Sequence, residues 1–270
     1  MLVVACIKQV PDTTQVSVDP VTGTLIREGV PFIMNPFDTH ALEESLRLKD
    51  RYGFRVAVIT MGPPSAEDTL RKAQALGADE AVLLSDRVFG GADTLATSMV
   101  LTEAIRKLAK QEELALVLCG RQTIDGDTAQ VGPGIAARLG CTQLTLVDRI
   151  EEVDAARKLV KVRRRMEGRH EIVSAPLPAM VAVLREINTP RYPTVPSRLF
   201  AADAKIDLWD NKIMTIDEQK IGLKGSATQV RKIFSPERTK GEIIGHEQDN
   251  PDEVARRLID TMMEKDLLSF

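Results

Sequence analysis

Residues 114–134 read LALVLCGRQTIDGDTAQVGPG, and this passage from an apolar run through a glycine-rich turn into a helix-like stretch decides how the chain is read. Leu114 to Gly120 has the continuous apolar character of a strand buried on both faces. Gly120, Gly126, Gly132 and Gly134 let the backbone approach a ligand closely. Pro133 fits the first turn of a following helix, where its missing N–H costs nothing. The amides of about Gly126 to Gly132 are then free to point at an anion, and Asp127, Thr128 and Gln130 add groups suited to ribose, phosphate or a base edge. A ligand at this place agrees with doubly wound sheets, which bind outside the carboxyl ends of their strands. The spacing is neither GxGxxG nor GxxxxGK[ST], so an ordinary glycine-rich turn without a ligand fits the same residues.

Working outward, LVVACI at 2–7, RVAVITM at 55–61 and EAVLLS at 80–85 are further β-branched runs separated by amphipathic stretches. That alternation predicts an α/β fold with a doubly wound, Rossmann-like parallel sheet. Asn35-Pro36 supplies a cap and a first-turn proline for a helix carrying Ala41, Leu42, Ser45 and Leu46 on one face. Ser65 opens a second helix that Gly77 stops, Asp93 a third running to about Lys110, and a fourth ends near Gly140. In FGGADTLATS at 89–98, Thr94, Thr97 and Ser98 lie on or near a first helical turn, where hydroxyls beside free amides suit a phosphate. Capping explains Asp93 and Thr94 equally well.

From about residue 143 three strand-like runs follow without helices between them, QLTLVDRIEEV, KLVKVRRRM and EIVSAPLPAMVAVL. They predict an antiparallel extension. Beyond Asp207 the periodicity fades and apolar residues become too sparse for a separate core, until Asn250-Pro251 opens a helix striped by Val254, Leu258, Ile259 and Met262. The expected division is therefore a nucleotide-binding α/β domain at 1–207 and a C-terminal arm at 208–270 that lies on another chain.

The 270 residues are 43% hydrophobic with a formal net charge of -3, so neither nucleic acid nor a membrane is drawn by a global field. The basic run Lys161 to Arg165 alternates along a strand without interleaved aromatics, which reads as a solvated edge or partner contact. Cys6, Cys119 and Cys141 are widely spaced, and His40, His170 and His246 form no metal-spaced cluster, so no metal site and no disulfide framework are expected. No apolar run reaches the length of a membrane span, and the N-terminal run is too short for a signal peptide, which fits a cytoplasmic protein. With no GxSxG elbow, P-loop lysine or HExxH, no group-transfer catalytic residues are expected.

Several long motifs occur in order: ACIKQVPDT near the start, MNPFDTHALEESLRLK at 34–49, VITMGP at 58–63, LGADEAVLLSDR at 76–87, GRQTIDGDTAQVGP at 120–133 and PRYPTVP at 190–196. Together they resemble the electron-transferring flavoprotein beta subunit family over nearly the whole chain. The resemblance implies a heterodimer in which this chain clasps a larger alpha subunit carrying a flavin domain. It places Cys6 against an adenosine, and Asn35 and Asp38 in a nucleotide-contacting turn whose Phe37 lies toward the flavin of the alpha subunit. Met61 stands where simpler members have cysteine. Gly126, Asp127, Thr128, Ala129, Gln130 and Val131, flanked by Gly120 and Gly132, match the phosphate and ribose loop.

GDTAQVGP combined with ADTLATS resembles the bifurcating branch, which implies FAD here, with the extra phosphate near Asp93, Thr94 and Thr97. The same resemblance implies NADH as donor, ferredoxin or flavodoxin as low-potential acceptor, and a partner dehydrogenase. That dehydrogenase would read the loop PRYPTVPSR at 190–198 through Val195. Two alternatives stay open: a non-bifurcating carrier with structural AMP, and a stand-alone adenine-nucleotide-binding or ATP-hydrolysing module.

Overall fold

The computed structural model describes residues 1–12, 17–18, 25–26, 31–229, 241–246 and 248–268. The first strand, β1 (Leu2–Cys6), is buried at every position. Short ribbons follow, β2 (Gln9–Pro11) pairing with β5 (Phe32–Met34) and β3 (Ser17–Val18) with β4 (Leu25–Ile26). Then α1 (Pro36–Tyr52), β6 (Arg55–Met61), α2 (Glu67–Leu76), β7 (Glu80–Leu84), α3 (Thr94–Ala109), β8 (Leu114–Gly120) and α4 (Val131–Leu139) alternate as the residue pattern predicts. A 3-10 turn at Pro64–Ala66 precedes α2, so Ser65 belongs to the approach and the helix itself begins at Glu67.

The expected antiparallel extension is present, but EIVSAPLPAMVAVL is two strands. β9 (Thr142–Asp154), β10 (Leu159–Met166) and β11 (Arg169–Pro176) form the meander, whereas β12 (Ala179–Val183) returns to the sheet interior. Pro176 and Pro178 end one strand and begin the next, and β12, apolar at every position, is buried throughout because it lies between parallel β8 and β9. Among the described residues the resulting nine-stranded sheet has the order β11-β10-β9-β12-β8-β1-β6-β7-β13, with β13 (Asp207–Trp209) parallel to β7. β11, not β10, is therefore the edge. Of the basic run on β10, Arg163 bonds the Asp148 carboxylate at 2.8 Å and Arg165 pairs with Glu186 at 2.7 Å.

Alternation along β1 builds two cores. Val3 and Ala5 join Leu42 and Leu46 of α1 and Leu70 of α2, while Leu2, Val4 and Cys6 join Val100 and Ile105 of α3 and Ile135 of α4. From β1 the chain goes to β6 and β7 on one side, then α3 carries it across to β8 on the other. The crevice between the carboxyl ends of β1 and β8 is thus the topological switch point.

The segment 190–198, expected as a loop throughout, turns helical at its end. Thr194 caps α5 (Val195–Asp203), accepting the Ser197 N–H at 3.2 Å, and Pro196 occupies a first-turn position. Arg71 secures the far end through the carbonyls of Ala201 and Ala202 at 3.0 and 2.7 Å. Past β13 come α6 (Asn211–Met214) and α7 (Gly222–Gly225), with Trp209, Met214 and Ile221 buried in the α3 and α4 core.

The chain divides into compact units at Met1–Arg231 and Lys232–Phe270, so the stretch just after Asp207 packs with the sheet. In the second unit α8 (Pro251–Glu264) is capped by Asn250, whose oxygen accepts the Asp252 N–H at 3.0 Å. Leu258, Ile259 and Met263 stand exposed on it. Among the described residues no helix is long and apolar enough to cross a membrane.

Candidate functional site

The helices α2, α3 and α4 follow the carboxyl ends of β6, β7 and β8 in this sheet, while α1 follows the β2-β5 ribbon, and the capping of their N-termini differs. Asp93 caps α3, accepting the Ala96 N–H at 3.0 Å on one oxygen and the Thr228 N–H and hydroxyl at 2.9 and 3.1 Å on the other. Burial would raise this carboxyl, yet the N–H bonds from Ala96 and Thr228 hold it below the usual carboxylate range. The start of α3 is thus already neutralised by its own anion. Thr94 donates its hydroxyl to Gln130 Oε1 at 2.7 Å, which ties α3 to the glycine-rich loop, and Thr97 stays half-buried beside it.

α4 has no side-chain cap. The backbone amides of Thr128 to Gly132 have no hydrogen-bond partner among the described residues, whereas Asp127 N donates to Thr123 O at 2.9 Å and Gly134 N to Gln130 O at 2.9 Å. Asp127 and Ala129 are left-handed at φ 51 and 55, and Gln130 returns to a right-handed conformation at φ -98. Left-handed Ala costs strain of order 1–2 kcal/mol. Such alternation of handedness turns successive N–H groups toward one concavity, the arrangement that binds anions. Gly126 to Gln130 are exposed at this loop, and Val131 is half-buried.

The glycines divide by role. A Cβ on Gly120 would lie 2.5 Å from Phe37 Cβ, and one on Gly132 2.7 Å from Cys119 Sγ, so both are required by packing. Gly126 is open, with only Thr123 Oγ1 at 3.6 Å.

Asn35 and Asp38 are buried and hold the loop from beneath. Asn35 sits at the cap position of α1 but makes no side-chain cap bond. Its amide instead donates to Gln122 O at 2.9 Å and accepts the Ile124 N–H at 3.2 Å. The Asp38 carboxylate accepts Lys8 N–H at 2.8 Å and Gly120 N–H at 3.1 Å. Burial pushes Asp38 up to about 7, against the lowering pull of Asn35 and of those two amides. Lys8 Nζ adds an ion pair to Asp125 at 2.6 Å.

Cys6 and Cys119 are register partners on β1 and β8, both turned into the core. Burial drives the Cys6 thiol well above its usual range and Cys119 up to about 12, so neither is a nucleophile at neutral pH. Met61 ends β6 half-buried. Phe37 lies beneath the Arg185 guanidinium, 4.3 Å from its ring centre, and lines an open cavity of about 670 Å³ with Arg121, Gln122 and Asp127. Val195 is not part of this crevice; it is 72% exposed on α5 beside Tyr192 at 93%.

Thr94 and the 126–131 loop are therefore brought together, and Asn35, Asp38 and Gly120 support the loop from below. Sequence reasoning missed Lys8, Gln122, Asp125 and Arg185. For Lys8 a signal existed, since it stands two residues past the end of β1 at the switch point.

A model of the electron transfer flavoprotein domain matches residues 22–213. Protein FixA of Azotobacter vinelandii is 49% identical over 255 residues, 93% of this chain and 91% of that protein. The electron transfer flavoprotein subunit beta of Clostridium acetobutylicum is 50% identical over 245 residues, covering 90% and 92%. The caffeyl-CoA reductase-Etf complex subunit CarD of Acetobacterium woodii is 45% identical over 99% of this chain and 100% of its own length. With half of the aligned residues shared across nine-tenths of the chain and a switch-point crevice to match, the protein belongs to the electron transfer flavoprotein family, as one of its beta subunits.

Proposed function

We propose that this chain, paired with an alpha subunit, holds FAD at the β1/β8 crevice and passes electrons from NADH along two routes. One route leads to a low-potential carrier, ferredoxin or flavodoxin, and the other to a partner dehydrogenase through the flavin of the alpha subunit. The observation that carries the nucleotide assignment is the row of unpartnered amides from Thr128 to Gly132 at the uncapped start of α4. Two consecutive anion-seeking features, free N–H groups and a helix dipole, converge there on an exposed loop.

The donor set fits an adenine dinucleotide. The amides of Thr128 to Gly132 would take a phosphate, and the hydroxyl of Thr128 and the amide of Gln130 would take ribose or a second oxygen. Thr94, Thr97 and Met61 would border the remainder of the molecule. When bound, the flavin supplies hydride acceptance and one-electron release, chemistry the side chains lack. The residues of this chain orient it: Asn35, Asp38 and Gly120 fix the loop, and Thr94 locks Gln130. A relative named as a subunit of a caffeyl-CoA reductase-Etf complex supports an assembly with a further redox protein.

A second reading, AMP as a structural ligand, is favoured by the start of α3. Of the two helix starts at the glycine-rich loop, α3 is already neutralised by Asp93, which leaves the uncapped start of α4 for one phosphate. Nucleotides extracted from the purified heterodimer and weighed separate the readings. Two FAD per heterodimer is the expected result, and one FAD with one AMP after reconstitution in excess FAD would replace it.

The partner dehydrogenase is assigned to α5. Tyr192, Val195, Leu199 and Phe200 stand 93, 72, 69 and 70% exposed, an apolar patch of the kind that marks a protein contact. Val195→Asp is expected to slow electron delivery to the acceptor about tenfold or more, the cost of a charge placed in an apolar contact, with nucleotide content unchanged. Stopped-flow reduction of the acceptor reads this directly. An unchanged rate removes α5 from the docking surface.

A further inference from the structure

We infer that Asp38 is a positioning residue, a buried clasp that ties the carboxyl ends of β1 and β8 together and so governs how firmly the 120–127 loop stays closed. Its two oxygens take one amide from each strand end, Lys8 N–H at 2.8 Å and Gly120 N–H at 3.1 Å. The residues they join flank the switch point. A Cβ on residue 120 would fall 2.6 Å from Asp38 Oδ1, so glycine is what lets the β8 end come this close to the carboxylate. Three residues earlier on the same helix start, Asn35 holds Gln122 O and Ile124 N–H at 2.9 and 3.2 Å. The root of the loop therefore hangs on two side chains of α1, and Asp38 is the one that can change its charge.

The groups facing Asp38 are the Cys6 thiol of β1, the Cys119 thiol of β8, the Asn35 amide on its own helix and Lys8, which is engaged with Asp125 of the loop. Neither thiol is charged near neutrality, since burial raises both. Lys8 Nζ lies 2.6 Å from the Asp125 carboxylate. Burial lifts Asp38 from 3.8 to about 7, so the closed clasp holds a proton that an opened, hydrated carboxyl would release. By linkage the closed state is favoured fully below the hydrated value and loses that advantage as pH rises to about 7, above which nothing further changes.

This inference deepens the proposed nucleotide site, and its readout, a pH slope in exchange, is separate from nucleotide content. Hydrogen exchange of the 120–127 amides is followed in the purified heterodimer across pH, corrected for intrinsic exchange. In the wild type, opening should rise with pH by at most about tenfold per unit, the limit for one proton, and level off above about 7. Asp38→Asn, which cannot titrate, should abolish that slope. A flat wild-type profile, or the same slope in the Asp38→Asn protein, overturns the clasp. The wild-type profile stands alone if the variant does not assemble. Nucleotide content measured in the same samples tests the proposed function separately, because a heterodimer without nucleotide on this chain would still show or lack the slope.

Discussion

Thr128→Asp is expected to empty the nucleotide site while leaving the fold in place. Thr128 is exposed at the centre of the loop and makes no side-chain hydrogen bond among the described residues, so its replacement removes no packing. The new carboxylate stands beside the unpartnered amides of Thr128 to Gly132 and answers their demand for an anion internally. A phosphate arriving there meets a like charge at close range. At the effective dielectric of a protein surface that repulsion is on the order of 1.4–2.8 kcal/mol, or ten- to a hundredfold in affinity. Nucleotide released per chain on denaturation measures it. Full occupancy in the variant would move the phosphate elsewhere and take the carrying observation with it.

Gly120→Ala is expected to cost stability rather than binding alone. The added methyl would sit 2.5 Å from Phe37 Cβ and 2.7 Å from the Phe37 carbonyl carbon, and backbone atoms cannot step aside as a flexible side chain can. α1 would have to move off β8, stretching the Asn35 and Asp38 bonds together. The loss should be about 3 kcal/mol, the upper range for overpacking, read from the urea midpoint of the heterodimer. Gly126→Ala makes the contrast, since its nearest neighbour is 3.6 Å away on a side chain, and its change should stay within about 0.5 kcal/mol. Equal losses in the two variants would mean that α1 is not fixed against β8 by this contact.

How much of this was legible in the residues depends on whether the signal is local. β1, β6, β7 and β8 lie where the β-branched runs place them because a strand buried on both faces must be apolar throughout. The Asp93 cap was equally plain, since an acidic side chain before a helical run acts within its own turn. EIVSAPLPAMVAVL was read as one strand although Pro176 and Pro178 mark the break, because apolar character continues across it. α5 was hidden for the opposite reason: the prolines of PRYPTVPSR suggest irregular chain, yet Pro196 falls where a helix accepts it. At the site, Asn35 was read as a local cap, and its bonds to Gln122 and Ile124 lie 87 and 89 residues away. No pattern within the NPFD segment announces which loop will arrive above it.

The place of β12 in the sheet bears on how the chain is made. β8 emerges from synthesis with β1 on one side and nothing on the other, because its second neighbour begins only at Ala179. Until then the ribosome has released a half-sheet whose Leu116, Val117 and Leu118 present unpaired amides and carbonyls to any other strand. The meander of β9 to β11 can close on itself early, since its contacts are local, but it cannot dock until β12 slides between it and β8. β12 is thus the keystone that joins the meander to the parallel strands, and it is the last of β8 to β12 to leave the ribosome.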